Sequence, residues 1–155
     1  MRTRALISAV LLTLALGAGL ASAQLPAQTP DRAITDGSAQ HHLDEARAKW
    51  KAQAPRSYRF ELRRQCFCPP QTSVTVIVRG GRIAKAPKEV RAVATVPRLF
   101  REVQRAIDAK VVDLNVSYAK RGVPKSLYID RSQYIADEES GYTVKRFTPL
   151  KQRAG

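Results

Sequence analysis

Along Ser57-Tyr58-Arg59-Phe60-Glu61-Leu62-Arg63, apolar and charged residues alternate one by one. In an extended chain that puts Tyr58, Phe60 and Leu62 on one side and Arg59, Glu61 and Arg63 on the other, so a half-buried strand is predicted. Upstream the period is helical. Leu43, Ala46 and Trp50 recur on one face before Pro55 closes the run, which gives a first helix over about 38–53. Downstream, Ser73 to Val78 is a β-prone run, Arg79-Gly80-Gly81-Arg82 a tight hairpin signal and Ile83-Ala84-Lys85 the returning strand.

Lys88 to Ala94 has no clear period. Thr95-Val96-Pro97 then opens a second helix, with Thr95 as its cap, Pro97 in the first turn, and Leu99, Phe100, Val103, Ala106 and Ile107 on the buried face. Val112, Leu114, Val116 and Tyr118 alternate with polar neighbours in the next strand. A turn through Gly122 and Pro124 leads into a strand at Ser126 to Asp130; Tyr134 to Ala136 is expected to add a short strand, and Tyr142 to Phe147 ends the sheet. Helix then strands, twice over, predicts the α+β class: an antiparallel sheet with two helices packed on one face. A faint echo between Val78–Lys85 and Ile129–Asp137, both ending in Ile-Ala and a charged residue, raises the reading of two helix-plus-meander units.

The N-terminus follows a different logic. Arg2 and Arg4 precede an apolar run from Ala5 to Leu20, and Ala21-Ser22-Ala23 makes a small-x-small cleavage signal. Residues 1–23 therefore read as a secretory signal peptide, too short at about 16 apolar residues for the roughly 20 that span a bilayer. Residues 24–37, with Pro26 and Pro30 and few large apolar side chains, are expected to form a flexible leader. A single domain over 38–150 and a tail at 151–155 complete the division. The expected location is secreted, periplasmic or extracellular.

Charge adds a partner class. The net charge of +14 falls to +12 when Arg2 and Arg4 leave with the signal peptide. Such an excess speeds association with polyanions, and outside the cytoplasm these are anionic lipids and envelope polymers rather than nucleic acid. The bland alternative is a solvated basic surface, because the cations are scattered from Arg32 to Arg153. Candidate anion-binding residues are Arg59 and Arg63 on the polar side of the first strand, and Arg79 and Arg82 flanking the hairpin.

The chain's two cysteines, Cys66 and Cys68, stand one residue apart before Pro69-Pro70. Extended positions i and i+2 lie about 6.6 Å apart between Cα atoms, near the upper limit for a disulfide, so a bridge needs the backbone to buckle where the prolines end the strand. So small a ring constrains the unfolded chain by only ~1.5 kcal/mol. Export favours a structural disulfide. A strained, reducible redox pair, a metal site shared with His41 and His42, and an intermolecular link are the alternatives. Adjacent histidines at a helix start point about 100° apart, which argues against one ion holding both. Period-two continuation puts Cys66 and Cys68 on the core side, with a bend or bulge expected near Arg64. Asp137-Glu138-Glu139 reads as an exposed acidic turn and Trp50 as core. No nucleophile elbow, phosphate-binding glycine loop, dinucleotide motif or paired-histidine zinc motif occurs, so neither catalysis nor a cofactor is expected.

Several of these stretches together have a family look: Trp50 before Pro55, Ser57-Tyr58-Arg59-Phe60, Cys66-Phe67-Cys68-Pro69, Val74 to Val78 with Gly80-Gly81, Thr95-Val96 before Leu99-Phe100, Val116-Ser117-Tyr118, Gly122-Val123-Pro124, Ile129-Asp130, and Asp137-Glu138-Glu139 before Tyr142. Over about residues 43–148 the chain resembles a domain-of-unknown-function family of secreted and lipid-anchored bacterial proteins with a central Cys-Phe-Cys-Pro motif. The resemblance implies a secreted bacterial domain and carries no catalytic residue. Val123 stands where the family often has an aromatic residue, and Ala119 follows Tyr118 where it often has Asp, so a ligand held by that Asp would not be held here. The expected function is a non-catalytic binding or structural module of the cell envelope, engaging an envelope protein or anionic polymer. The alternative is a thiol redox or metal-binding protein using the Cys-x-Cys pair.

Overall fold

A computed structural model of the chain describes residues 27–66, 72–135 and 137–151, so the expected signal peptide at 1–23 lies outside the described residues. Within them the helices are α1 (Arg32–Thr35), α2 (Ser38–Gln53) and α3 (Val96–Asp108), with a short 3-10 helix at Lys88–Val93. The strands are β1 (Tyr58–Gln65), β2 (Val74–Arg79), β3 (Arg82–Lys85), β4 (Asp113–Tyr118), β5 (Pro124–Asp130) and β6 (Ser140–Pro149). They form one six-stranded sheet in the order β3-β2-β1-β6-β5-β4, and every neighbouring pair is antiparallel. The α+β expectation is met. No helix among the described residues is long and apolar enough to cross a membrane.

Alternation in β1 buries Tyr58, Phe60 and Leu62 and leaves Arg59 and Arg63 exposed. Val76 and Val78 of β2 and Leu127 and Ile129 of β5 complete the inner face. Against it lie Leu43, Ala46 and Trp50 of α2 and Leu99, Phe100, Val103 and Ala106 of α3. α3 starts where its sequence says: the Thr95 hydroxyl accepts a hydrogen bond from the Arg98 N–H at 3.2 Å, with proline in the first turn. No described helix covers the outer face.

Helix plus meander occurs twice in chain order. Yet the centre of the sheet joins β1 to β6, so alternating strand directions make β4 run opposite to β1. A second copy displaced along the sheet would keep the direction of the first, so simple translation does not relate the two units.

Three local expectations need correction. Part of the leader is ordered: Asp31 donates its N–H to the Val111 carbonyl at 2.8 Å, and its carboxylate accepts from the N–H of Ala33 at 2.7 Å and of Leu114 at 3.1 Å. One carboxylate thus caps α1 and pins it to the start of β4. Tyr134 and Ile135 form no strand and are 46% and 58% exposed. Lys88–Val93, without a period in sequence, folds as the 3-10 helix and buries Val90 and Val93. The bulge falls between Arg59 and Glu61, because β6 takes three steps from Lys145 to Thr148 where β1 takes two from Glu61 to Arg59. Past Arg64 the chain bends, at Cys66, without a register shift. Arg146, inside that bulge, has φ 51°.

Two contacts lock the layers. Gly122, at φ +80°, lies so close to α2 that a Cβ there would fall 2.0 Å from the Ala46 carbonyl oxygen, which explains glycine in the β4–β5 turn. Tyr58 stands edge-on to Trp50 at 5.5 Å and tilted against Phe147 at 5.2 Å. Its hydroxyl accepts a hydrogen bond from the Val96 N–H at 3.2 Å, one of the donors that a helix start leaves without an intrahelical partner. Tyr58→Phe keeps the ring but strands that buried N–H. It is expected to lower unfolding free energy by about 1–3 kcal/mol, read from the urea midpoint.

Candidate anion-binding face

Residues directly opposite in an antiparallel pair share a face of the sheet. Arg59 opposes Ile77 on β2 and Thr148 on β6, Glu61 opposes Thr75 and Lys145, and Arg79 opposes Arg82 across the hairpin. Because Tyr58, Phe60 and Leu62 point into the core, all of these point outward. The four arginines singled out in the sequence, Arg59, Arg63, Arg79 and Arg82, therefore lie on one uncovered face, with Lys145 beside them. Arg79 donates weakly to the Lys151 carbonyl at 3.5 Å.

Sequence reasoning missed Arg146. The β6 bulge turns it outward, where its guanidinium pairs with Glu61 at 2.6 Å. With Arg146 80% exposed and Glu61 26%, the pair adds little stability, but it neutralises the carboxylate that stands among these cations. Around the pair is a hollow of about 570 Å³ lined by Arg59, Phe60, Glu61, Thr75, Arg146 and Thr148. Nothing in the local sequence marks Arg146, because the bulge exists only where β6 is paired to β1.

The other candidates are dispersed. Cys66 is half-buried directly after β1, following exposed Arg64 and Gln65, and Cys68 lies outside the described residues. His41 pairs with Glu45 at 3.2 Å, whereas His42 borders a cavity of about 240 Å³ with Tyr118, Asn115 and Val103. No group of three His, Cys, Asp or Glu side chains suited to a metal occurs among the described residues. Asp137-Glu138-Glu139 is less solvated than expected. Asp137, at φ 82°, is exposed, but Glu138 and Glu139 are half-buried, and Glu138 Oε1 is buried with no hydrogen-bond partner among the described residues.

A family model described as a family of unknown function, DUF6174, matches residues 42–149. The chain belongs to that family. The matched span contains every strand and α3, along with most of α2. No curated protein and no solved structure matches.

In this DUF6174 domain, perturbed titration follows packing. Burial pushes Tyr118 up to about 12, with Arg47 opposing and Asp44 assisting. Burial also raises Tyr58 and Tyr142. Asp36 and Asp44 are lowered, chiefly by hydrogen bonds from Ser38 and Gln40, while burial raises Asp113, with Asp31 and Asp130 adding to it. Tyr58 is buried and Tyr118 and Tyr142 are half-buried, and loss of hydration favours the neutral phenol in each. The sign follows: the unfolded chain releases these protons first, near pH ~10. Their contribution is complete below that pH and is lost as pH rises through the folded values. Urea midpoints are expected to fall between about pH 10 and 12, and less steeply in Tyr118→Phe.

Proposed function

We propose that this chain is an exported, non-catalytic binding module whose uncovered sheet face engages an anionic polymer of the cell envelope. The observation that carries the reading is the placement of Arg59, Arg63, Arg79 and Arg82 on one face that no described helix covers, where Glu61, the carboxylate on β1 between Arg59 and Arg63, is already paired with Arg146. Alternate residues of a strand lie about 6.6 Å apart and neighbouring strands about 4.8 Å. Arg59 and Arg79 are thus about 8 Å apart, with Arg82 beside Arg79. That spacing is comparable to the Debye length of ~8 Å at physiological ionic strength, so their fields reinforce one another toward a repeating polyanion. Arg63, about 13 Å along β1 from Arg59, extends the track. Export is supported by Arg2 and Arg4, the apolar run and Ala21-Ser22-Ala23.

The mature protein is expected to be retained on an immobilised phosphate-rich polymer at about 0.01 M salt and released well before 1 M. Replacing Arg59, Arg63, Arg79 and Arg82 together by serine should abolish retention. Replacing Lys49, Lys51, Lys88 and Arg101 removes the same charge from elsewhere and should leave most of it. Equal losses in the two variants would mean that net charge, not this face, does the binding.

Cys66 and Cys68 in this reading form a closed bridge that braces the end of β1, with no redox or metal-binding activity. Oxidising compartments support that assignment. Intact mass of the mature chain should show two hydrogens fewer than the reduced form, no bound metal and no alkylation without prior reduction. Ready alkylation of the native protein would support the thiol-based alternative.

A further inference from the structure

β6 outruns its partner on one side. Its pairing with β5 spans Ser126↔Thr143 to Ile129↔Ser140, whereas β6 continues to Pro149. Beyond Thr143 the sheet is split. Gly122, just before β5, lies against α2, and a groove of about 510 Å³ opens between the β4–β5 turn and the end of β6. Val123, Val144, Phe147 and Pro149 give it an apolar floor. Lys120, Arg121, Lys125, Lys145 and Arg146 ring it, and no Asp or Glu among the described residues lines it. Only Arg146 of those five has an ion-pair partner, Glu61 on the outer face, among the described residues. The volume is in the range of small-molecule sites.

We propose that this groove binds a single-chain anionic amphiphile, an acyl or alkyl chain ending in a phosphate or carboxylate. The apolar floor takes the chain and the lysine–arginine rim takes the head. The other occupant that a split sheet suggests is an extended acidic peptide, added as a strand along β6. The free stretch of β6 is poorly made for that: it contains the Arg146 bulge at φ 51°, the charged Lys145 and, in Pro149, a residue without an N–H. These are the features by which natural strand edges refuse further strands. A ligand held by side chains, not by the β6 backbone, fits what remains. None of the open-face arginines Arg59, Arg63, Arg79 and Arg82 lines the groove, although Lys145 and Arg146 border both it and the open face, and the proposal does not depend on the polymer reading.

Trp50, the chain's one tryptophan, stands edge-on to Phe147 at 5.8 Å and reports on the groove floor. Dodecyl phosphate, kept below its micelle-forming concentration, is expected to change Trp50 emission saturably. Each methylene removed from the tail should weaken binding about fourfold while the floor still holds it. Lys120→Glu/Lys125→Glu/Lys145→Glu, all at exposed positions, should weaken binding at least about tenfold with unchanged circular dichroism. The four-arginine serine variant of the open face should bind as the wild type does. The proposal is overturned if dodecyl phosphate does not saturate, if a neutral dodecyl glycoside or inorganic phosphate alone binds equally well, or if an acidic peptide binds more tightly.

Discussion

One side chain, Tyr58, joins more of this molecule than any other contact described. From the first position of β1 its ring meets Trp50 of α2 and Phe147 of β6, and its hydroxyl accepts the Val96 N–H at the start of α3. Each partner lies in a different element, so the two helices are located on the sheet by reference to a single residue. The hydrogen bond gives that reference its direction. Apolar burial alone lets α3 slide, whereas an otherwise orphaned N–H, buried at a helix start, has one acceptable position.

A second constraint shapes the surfaces. The three-for-two step between β6 and β1 sends Arg146 outward to Glu61 and Phe147 inward to the aromatic cluster around Tyr58. The same stretch of β6 lies beyond the end of β5, so the irregularity borders both the arginine-bearing face and the apolar groove. A regular β6 would turn Arg146 inward after outward-facing Lys145; the extra residue lets Lys145 and Arg146 both face outward before Phe147 turns to the core. Gly122 contributes from the opposite bank, since only a residue without a Cβ lets the β4–β5 turn lie this close to the Ala46 carbonyl of α2.

Much of this arrangement is legible in the chain. Alternation from Tyr58 to Leu62 tells inside from outside in β1, Gly80-Gly81 marks the hairpin, and Thr95 with Pro97 marks the start of α3. The outward placement of Arg59, Arg63, Arg79 and Arg82 follows from the same periods. The misses share a cause. Asp31 sits in a stretch that looks like a leader because its partners, Val111 and Leu114, are some eighty residues away in sequence. Tyr134 and Ile135 have strand-like composition but no neighbour to pair with. Arg146 looks like any other exposed cation until β6 is laid against β1.

What the sequence determined by itself is therefore what short-range physics controls: the periods of helix and strand, the caps, the turn glycines and which residues face the core. Tertiary structure alone decided the joining of β1 to β6, the bulge at Arg146, the docking of Asp31 on β4 and the gap between β5 and β6. These depend on which distant segments compete for the same backbone donors and the same core volume. A local pattern records a residue's preference for a face, but not the partner that will occupy the other side.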